Sequence, residues 1–168
     1  RIAPVSLEAA FTKKQYRLEE ALTALTYEEV QPGRPWGSKW EYGWFKGKLT
    51  LPESVRGEMV VLLMDAGAES TVFINGEHAG AVDEYHHFIL LTDDARPGET
   101  FDVVLEAYAG HGPQEWSAGP TPPDRETIPE PPENQRKVGE SQFGIWQEVA
   151  FQLFMDVETL WEVRESID

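Results

Sequence analysis

A chain of 168 residues is long enough for one domain with a full core, or for a domain with an appendage. Its 14 Lys+Arg against 30 Asp+Glu leave a net charge of −16, a field that repels phosphate backbones and anionic membranes and so argues against nucleic acid and membrane as partners. The absence of cysteine excludes disulfides, Cys-ligated zinc and thiol catalysis and fits a cytoplasmic location, while no apolar run approaches the roughly 20 residues that span a bilayer.

In chain order, the expectation from an opening on Arg1, without an apolar signal core, is a processed or excised piece. Leu7, Phe11, Leu18, Leu22 and Leu25 recur at roughly helical spacing, with Ser6 as N-cap and Glu8 in the first turn, which predicts an N-terminal helical segment over residues 1–29. Residues 30–43 are loop by their Pro and Gly content and carry Trp36, Trp40 and Tyr42. The run 44–51 alternates, with Phe45, Gly47, Leu49 and Leu51 on one side and Trp44, Lys46, Lys48 and Thr50 on the other. Met59 to Met64 is continuously apolar and reads as a strand buried on both faces.

Asp65-Ala66-Gly67-Ala68 then supplies a turn, and the alternating stretch after Glu69 ends on Asn75-Gly76, the strongest short hairpin signal because both residues tolerate positive φ. These two reversals predict the middle of one antiparallel sheet. Phe88 to Leu91 reads as a further buried strand. Phe101 to Ala109 alternates, with Phe101, Val103, Leu105 and Ala107 inward and Asp102, Val104, Glu106 and Tyr108 outward. Short strands separated by Gly, Pro and Asp turns indicate an antiparallel sandwich over residues 30–146.

Residues 110–142 hold seven prolines and no regular period, and read as a semi-rigid loop inside that domain. Helical spacing returns over 147–168. Val149, Leu153, Val157, Leu160 and Trp161 form one stripe, and Phe151 with Met155 starts a second on another face. The second stripe is the expected interdomain docking surface.

The search for chemistry finds little. His78, His86, His87 and His111 are scattered without ligand spacing, and His86 and His87 would point to opposite faces of a strand, so all four read as structural or solvent-facing. Asp83-Glu84 and Asp93-Asp94 read as solvated, as adjacent carboxylates in turns usually are, with calcium ligation as the first alternative and a glycosidase carboxylate pair as the weaker one. No phosphate-binding glycine loop and no nucleophile beside a base occurs, so no catalytic and no metal-binding residue is assigned. The aromatics Trp36, Trp40, Tyr42, Trp44, Tyr85, Tyr108, Trp116 and Trp146 exceed what a small core needs. Packing and docking are the favoured use; a sugar platform of Trp36, Trp40 and Trp116 is the alternative.

Taken together, W-x-x-x-W-F (Trp40 to Phe45), L-T-L-P (Leu49 to Pro52), G-E-M-V-V-L-L (Gly57 to Leu63) and V-F-I-N-G-E (Val72 to Glu77) resemble the domain preceding the catalytic domain of glycoside hydrolase family 38 α-mannosidases. The tail, Ile145-Trp146 through Phe151-Gln152-Leu153 to Asp156-Val157-Glu158-Thr159-Leu160, is similar to the helix that leads into that family's catalytic barrel. The likeness covers about residues 30–110 and 143–168.

The family holds its catalytic metal with a His-x-Asp motif and further aspartates. No His-x-Asp occurs in this chain, so no catalytic residue carries over. The resemblance therefore implies a mainly β, galactose-binding-like jelly-roll sandwich with flanking N- and C-terminal helices. It would be a non-catalytic accessory domain of a retaining, metal-dependent α-mannosidase, docking on and shaping the catalytic domain. The chain itself would carry no cofactor, and the parent's catalytic domain would hold one divalent metal, zinc or similar. The expected partners are that catalytic domain and, if the chain self-associates, a second copy. The alternative is a free-standing carbohydrate-binding module, whose partner would be carbohydrate.

Overall fold

The computed structural model describes residues 2–110 and 134–167. In chain order the elements are β1 (Ala3–Pro4), β2 (Leu7–Thr12), α1 (Leu18–Ala24), β3 (Glu28–Val30), β4 (Pro35–Trp36), β5 (Tyr42–Thr50), β6 (Val60–Leu63), β7 (Ser70–Ile74), β8 (Glu77–Val82), β9 (Phe88–Thr92), β10 (Thr100–Tyr108), β11 (Arg136–Lys137), β12 (Gln142–Ile145) and α2 (Glu148–Ile167). Among the described residues they form a six-stranded sheet, β3-β2-β5-β10-β7-β8, a four-stranded sheet, β1-β12-β6-β9, and a short ribbon of β11 with β4.

The longest pairing joins β5 to β10, from Thr100↔Thr50 to Tyr108↔Tyr42. Phe45, Leu49, Phe101, Val103, Leu105 and Ala107 point from this pair into the core, where Val60, Leu62 and Phe143 of the other sheet meet them. The alternation read from the sequence at β5 and β10 is thus the alternation of the inner face. The outer face of the same sheet carries a smaller cluster, in which Trp44, Val104 and Ala21 are buried beneath α1.

At Asn75-Gly76 the backbone takes φ of 53° and 85°, the two positive values of a type I′ turn between Ile74 and Glu77. Asn75 also ties the hairpin to β10: its N–H donates to the Asp102 carbonyl at 2.8 Å, and its Oδ1 accepts from the Asp102 N–H at 2.9 Å.

The N-terminal segment departs from the helix expected over residues 1–29. Only Leu18–Ala24 is helical, while Ala3–Pro4 and Leu7–Thr12 are strands. Leu7, Ala9 and Phe11 also satisfy a period of two, and β2 pairs with β5 through Leu7↔Gly47 and Ala9↔Phe45. Strand pairing against the edge of β5 outweighs a helical spacing that only Leu7 and Phe11 support in this stretch. Ser6 therefore caps no helix; it lies in the link by which the chain passes from one sheet to the other.

Three further readings change. First, β6 is buried on one face only, since Val60 and Leu62 are in the core while Val61 and Leu63 are half-buried on the outer side. Second, the Asp65–Ala68 turn is a passage between sheets, with β6 in the four-stranded sheet and β7 in the six-stranded one. Third, β9 pairs with β6 alone and lies at the sheet edge, so Phe88 and Leu90 are exposed.

Of the proline-rich loop expected over 110–142, residues 111–133 lie outside the described residues. From 134 onward the chain is built into the fold: Arg136 pairs with Trp36, Val138 is in the core, and Gln142–Ile145 pair with β6.

Candidate functional site

Helix α2 leaves the sandwich directly after β12. The Trp146 N–H donates to the Met59 carbonyl at 2.8 Å, and its Nε1 donates to Glu148 Oε2 at 2.7 Å. The Phe151 ring lies 4.6 Å from the Trp146 ring and 5.8 Å from Phe88, edge-on to the latter. These three rings fix the first turns of the helix to the outer face of the four-stranded sheet.

At 100° per residue, Val149, Leu153, Phe154, Val157, Leu160, Trp161, Val163 and Ile167 fall on one half of the helix, with Leu160 directly opposite Phe151 and Phe154 and Trp161 on the edge nearest it. All eight are exposed, from 47% at Val163 to 84% at Val149. The expected docking stripe of Phe151 and Met155 therefore divides, with Phe151 turned to the sandwich and Met155 left exposed. Phe151 is half-buried against its own sandwich and Met155 is 41% exposed, while the broad stripe beginning at Val149 is the open one. Periodicity shows two faces but not which of them the sheet covers. No helix among the described residues is long and apolar enough to cross a membrane.

The proposed sugar platform of Trp36, Trp40 and Trp116 is not assembled. Trp36 is a core ring: its Nε1 donates to the Ala66 carbonyl at 2.7 Å, and it packs on Phe11 and Phe45 at 5.5 and 5.6 Å. A ring held by neighbours on both sides has no face for a sugar. Trp40 is 42% exposed, with a φ of 63°, and Trp116 lies outside the described residues.

The carboxylates and histidines make no metal centre among the described residues, where no three His, Asp or Glu side chains converge. Asp83 instead closes its own turn. Its carboxylate accepts from the N–H groups of Tyr85 and His86 at 2.8 and 2.7 Å and faces His86 Nδ1 at 3.0 Å. Those bonds hold its carboxyl below the usual carboxylate range. A cavity of about 260 Å³ at one edge of the sandwich has a mixed wall, with Val5, Leu7, Val30 and Val138 beside Gln31 and Glu140, and only one charged side chain.

One constellation was not foreseen. On the outer face of the six-stranded sheet, Tyr42 and Trp44 of β5 stand directly opposite Tyr108 and Glu106 of β10, and Thr71 of β7 flanks Glu106 on the other side. The Tyr42 and Tyr108 rings lie 4.8 Å apart, inclined by 32°. The Glu106 carboxyl is half-buried, has no hydrogen bond or ion pair among the described residues, and is raised above its ordinary pKa by burial. Beside it, Trp44 Nε1 and the Tyr27 hydroxyl are buried without a partner. The outward alternation of each strand was legible in the sequence, but the register that pairs them was not.

The comparisons follow the fold. A family model described as "Alpha-mannosidase, jelly roll domain" matches residues 3–161. No curated protein is similar in sequence at a significant level. Among solved structures, the chain is similar to β-glucuronidase from Ruminococcus gnavus in complex with D-glucuronic acid, at 13% identity and a TM-score of 0.45, over 82% of this chain and 25% of that one. The apo form of the same enzyme matches at 16% identity and a TM-score of 0.44, over 62% of this chain and 21% of that one. The chain spans a quarter or less of the length of these enzymes. The match of the family model over nearly the whole chain, on a sandwich of two antiparallel sheets, shows that this chain belongs to the family of α-mannosidase jelly roll domains.

Proposed function

We propose that the chain is a non-catalytic accessory domain of a glycoside hydrolase family 38 α-mannosidase, and that it docks on and shapes the catalytic domain through helix α2. One observation carries the reading: eight exposed apolar side chains spread over one half of that helix, while Phe151 is clamped to the sandwich. Each would gain about 1.5–3 kcal/mol on full burial, so leaving them all in water is a large penalty that a docked partner removes. In this reading the partner is the catalytic domain of the parent enzyme, and membership of the α-mannosidase jelly roll family supports that choice. In this reading the divalent metal belongs to that catalytic domain. The described residues of the jelly roll do not fit one, since no three ligating side chains meet. Hydrolysis of α-mannosides is likewise the work of the parent enzyme.

The test compares the Leu153→Ser/Leu160→Ser double variant with the unaltered chain. Analytical ultracentrifugation of the 168-residue chain should show self-association that the variant abolishes, with the melting temperature unchanged. In the full-length enzyme the same variant should loosen the domain, seen as separate melting transitions and reduced turnover of an aryl α-mannoside. A monomeric unaltered chain, together with a full-length variant that melts and turns over as before, overturns the docking role.

A further inference from the structure

Glu106 is an anomaly of charge. Two lysines share its sheet face, yet both are committed elsewhere: Lys46 Nζ pairs with Glu8 at 3.0 Å and Lys48 Nζ with Asp102 at 3.1 Å. Among the described residues, the neighbours of Glu106 on the sheet are Trp44, Thr71, Val104 and Tyr108, none of them a cation. A carboxylate drawn partly out of water without a partner is unfavourable, and its best compensation is a cation with hydrogen-bond donors. The rings beside it narrow the choice. Tyr108, 37% exposed and inclined against Tyr42, offers a flat π surface next to the carboxylate. A guanidinium matches both at once, because it is planar, stacks on aromatic faces and forks two N–H groups onto a carboxylate.

We propose that the patch formed by Tyr42, Glu106 and Tyr108 receives an arginine side chain from another domain of the same enzyme. The guanidinium pairs with the Glu106 carboxylate and lies along the Tyr108 ring. The idea rests on the docking reading above and adds to it a second contact, on the opposite sheet from the root of α2. The charge complementarity is general as well as local, since a chain of net charge −16 attracts a basic surface.

Two measurements test it. In the first, N-acetyl-arginine amide is titrated into the 168-residue chain while backbone amide NMR shifts are followed, with N-acetyl-citrulline amide as the uncharged control. Arginine should move Thr71, Glu106 and Tyr108 together, citrulline should not, and Glu106→Gln should abolish the response. Equal shifts with citrulline would mean a neutral ligand, and shifts spread over all the acidic surface would mean unspecific attraction; either overturns the proposal. In the second, tyrosine nitration is mapped in the isolated chain and in the full-length enzyme, with the 81% exposed Tyr85 as the open reference. Tyr108 should react several-fold more slowly in the full-length enzyme, and Glu106→Lys should restore its reactivity. A Tyr108 that is equally reactive in both proteins overturns the proposal. If the Leu153→Ser/Leu160→Ser variant still uncouples the domain in that case, the docking reading survives and only the arginine contact is lost.

Discussion

The indole of Trp146 and the ring of Phe151 lie 4.6 Å apart, and this contact decides which side of α2 faces the sandwich. Trp146 is held from behind by its backbone bond to Met59 at the start of β6, so the strand, the indole and the first turns of the helix form one anchored unit. Everything beyond Phe151 projects with its apolar half outward.

The two faces of α2 should therefore respond differently to substitution. Phe151→Ser removes a half-buried ring and two aromatic contacts, a loss of about 1–2 kcal/mol that falls on the helix root. Amide exchange over residues 147–155 should quicken while β5 and β10 stay protected. Leu160→Ser should leave exchange at the root unchanged and lower self-association. Equal exchange in both variants would place Phe151 outside the anchor.

The type I′ turn sets a second expectation. Gly76→Val forces a branched residue to a φ of +85°, although a side chain there would meet only open space. Strain of about 1–3 kcal/mol should lower the melting temperature by several degrees without altering the fold. A thermal scan with an unchanged midpoint would contradict the turn.

Gly67 is a harsher case. A Cβ at this position would collide with the Lys137 carbonyl oxygen, on backbone at a φ of +76°. The carbonyl is main chain and cannot step aside as a side-chain tip could. Gly67→Ala should destabilise far more than Gly57→Ala, which shares a positive φ of +72° but has nothing nearby. The Gly57 change should cost about 1–2 kcal/mol, and Gly67→Ala at least twice that. Urea denaturation of the two variants, side by side, measures the difference.

Tyr27 gives a pH dependence. Burial pushes its hydroxyl from 10.0 up to about 12. An acid whose folded-state pKa lies above its unfolded value keeps its proton longer when folded. Its contribution is thus fully present below pH 10 and is lost as the pH rises towards about 12. Since the hydroxyl has no partner among the described residues, Tyr27→Phe should cost little at pH 8. The variant should also lose less stability than the unaltered chain between pH 10 and 11.5, as read from urea midpoints. Parallel pH curves for the two proteins would show that Tyr27 ionises freely.

Local pattern can be read from the residues alone. The alternation of Phe45, Leu49, Phe101, Val103 and Leu105, the Asn75-Gly76 turn and the helical spacing after Gln147 were all legible, because backbone periodicity and positive φ are properties of short stretches. The order of motifs from Trp40 to Glu77, with the tail, also placed the chain beside the α-mannosidases, and the family match agrees. What only the tertiary structure decided is which surface covers which. Leu7 and Phe11 satisfy a strand and a helix equally until β5 offers its edge. Trp36 can serve as a platform or as core until Phe11, Phe45 and the Ala66 carbonyl close on it. Glu106 becomes a carboxylate without a partner among the described residues only when the register sets it opposite Trp44 and leaves both nearby lysines to other acids. Such outcomes depend on contacts between residues tens of positions apart, whose energies no local pattern encodes.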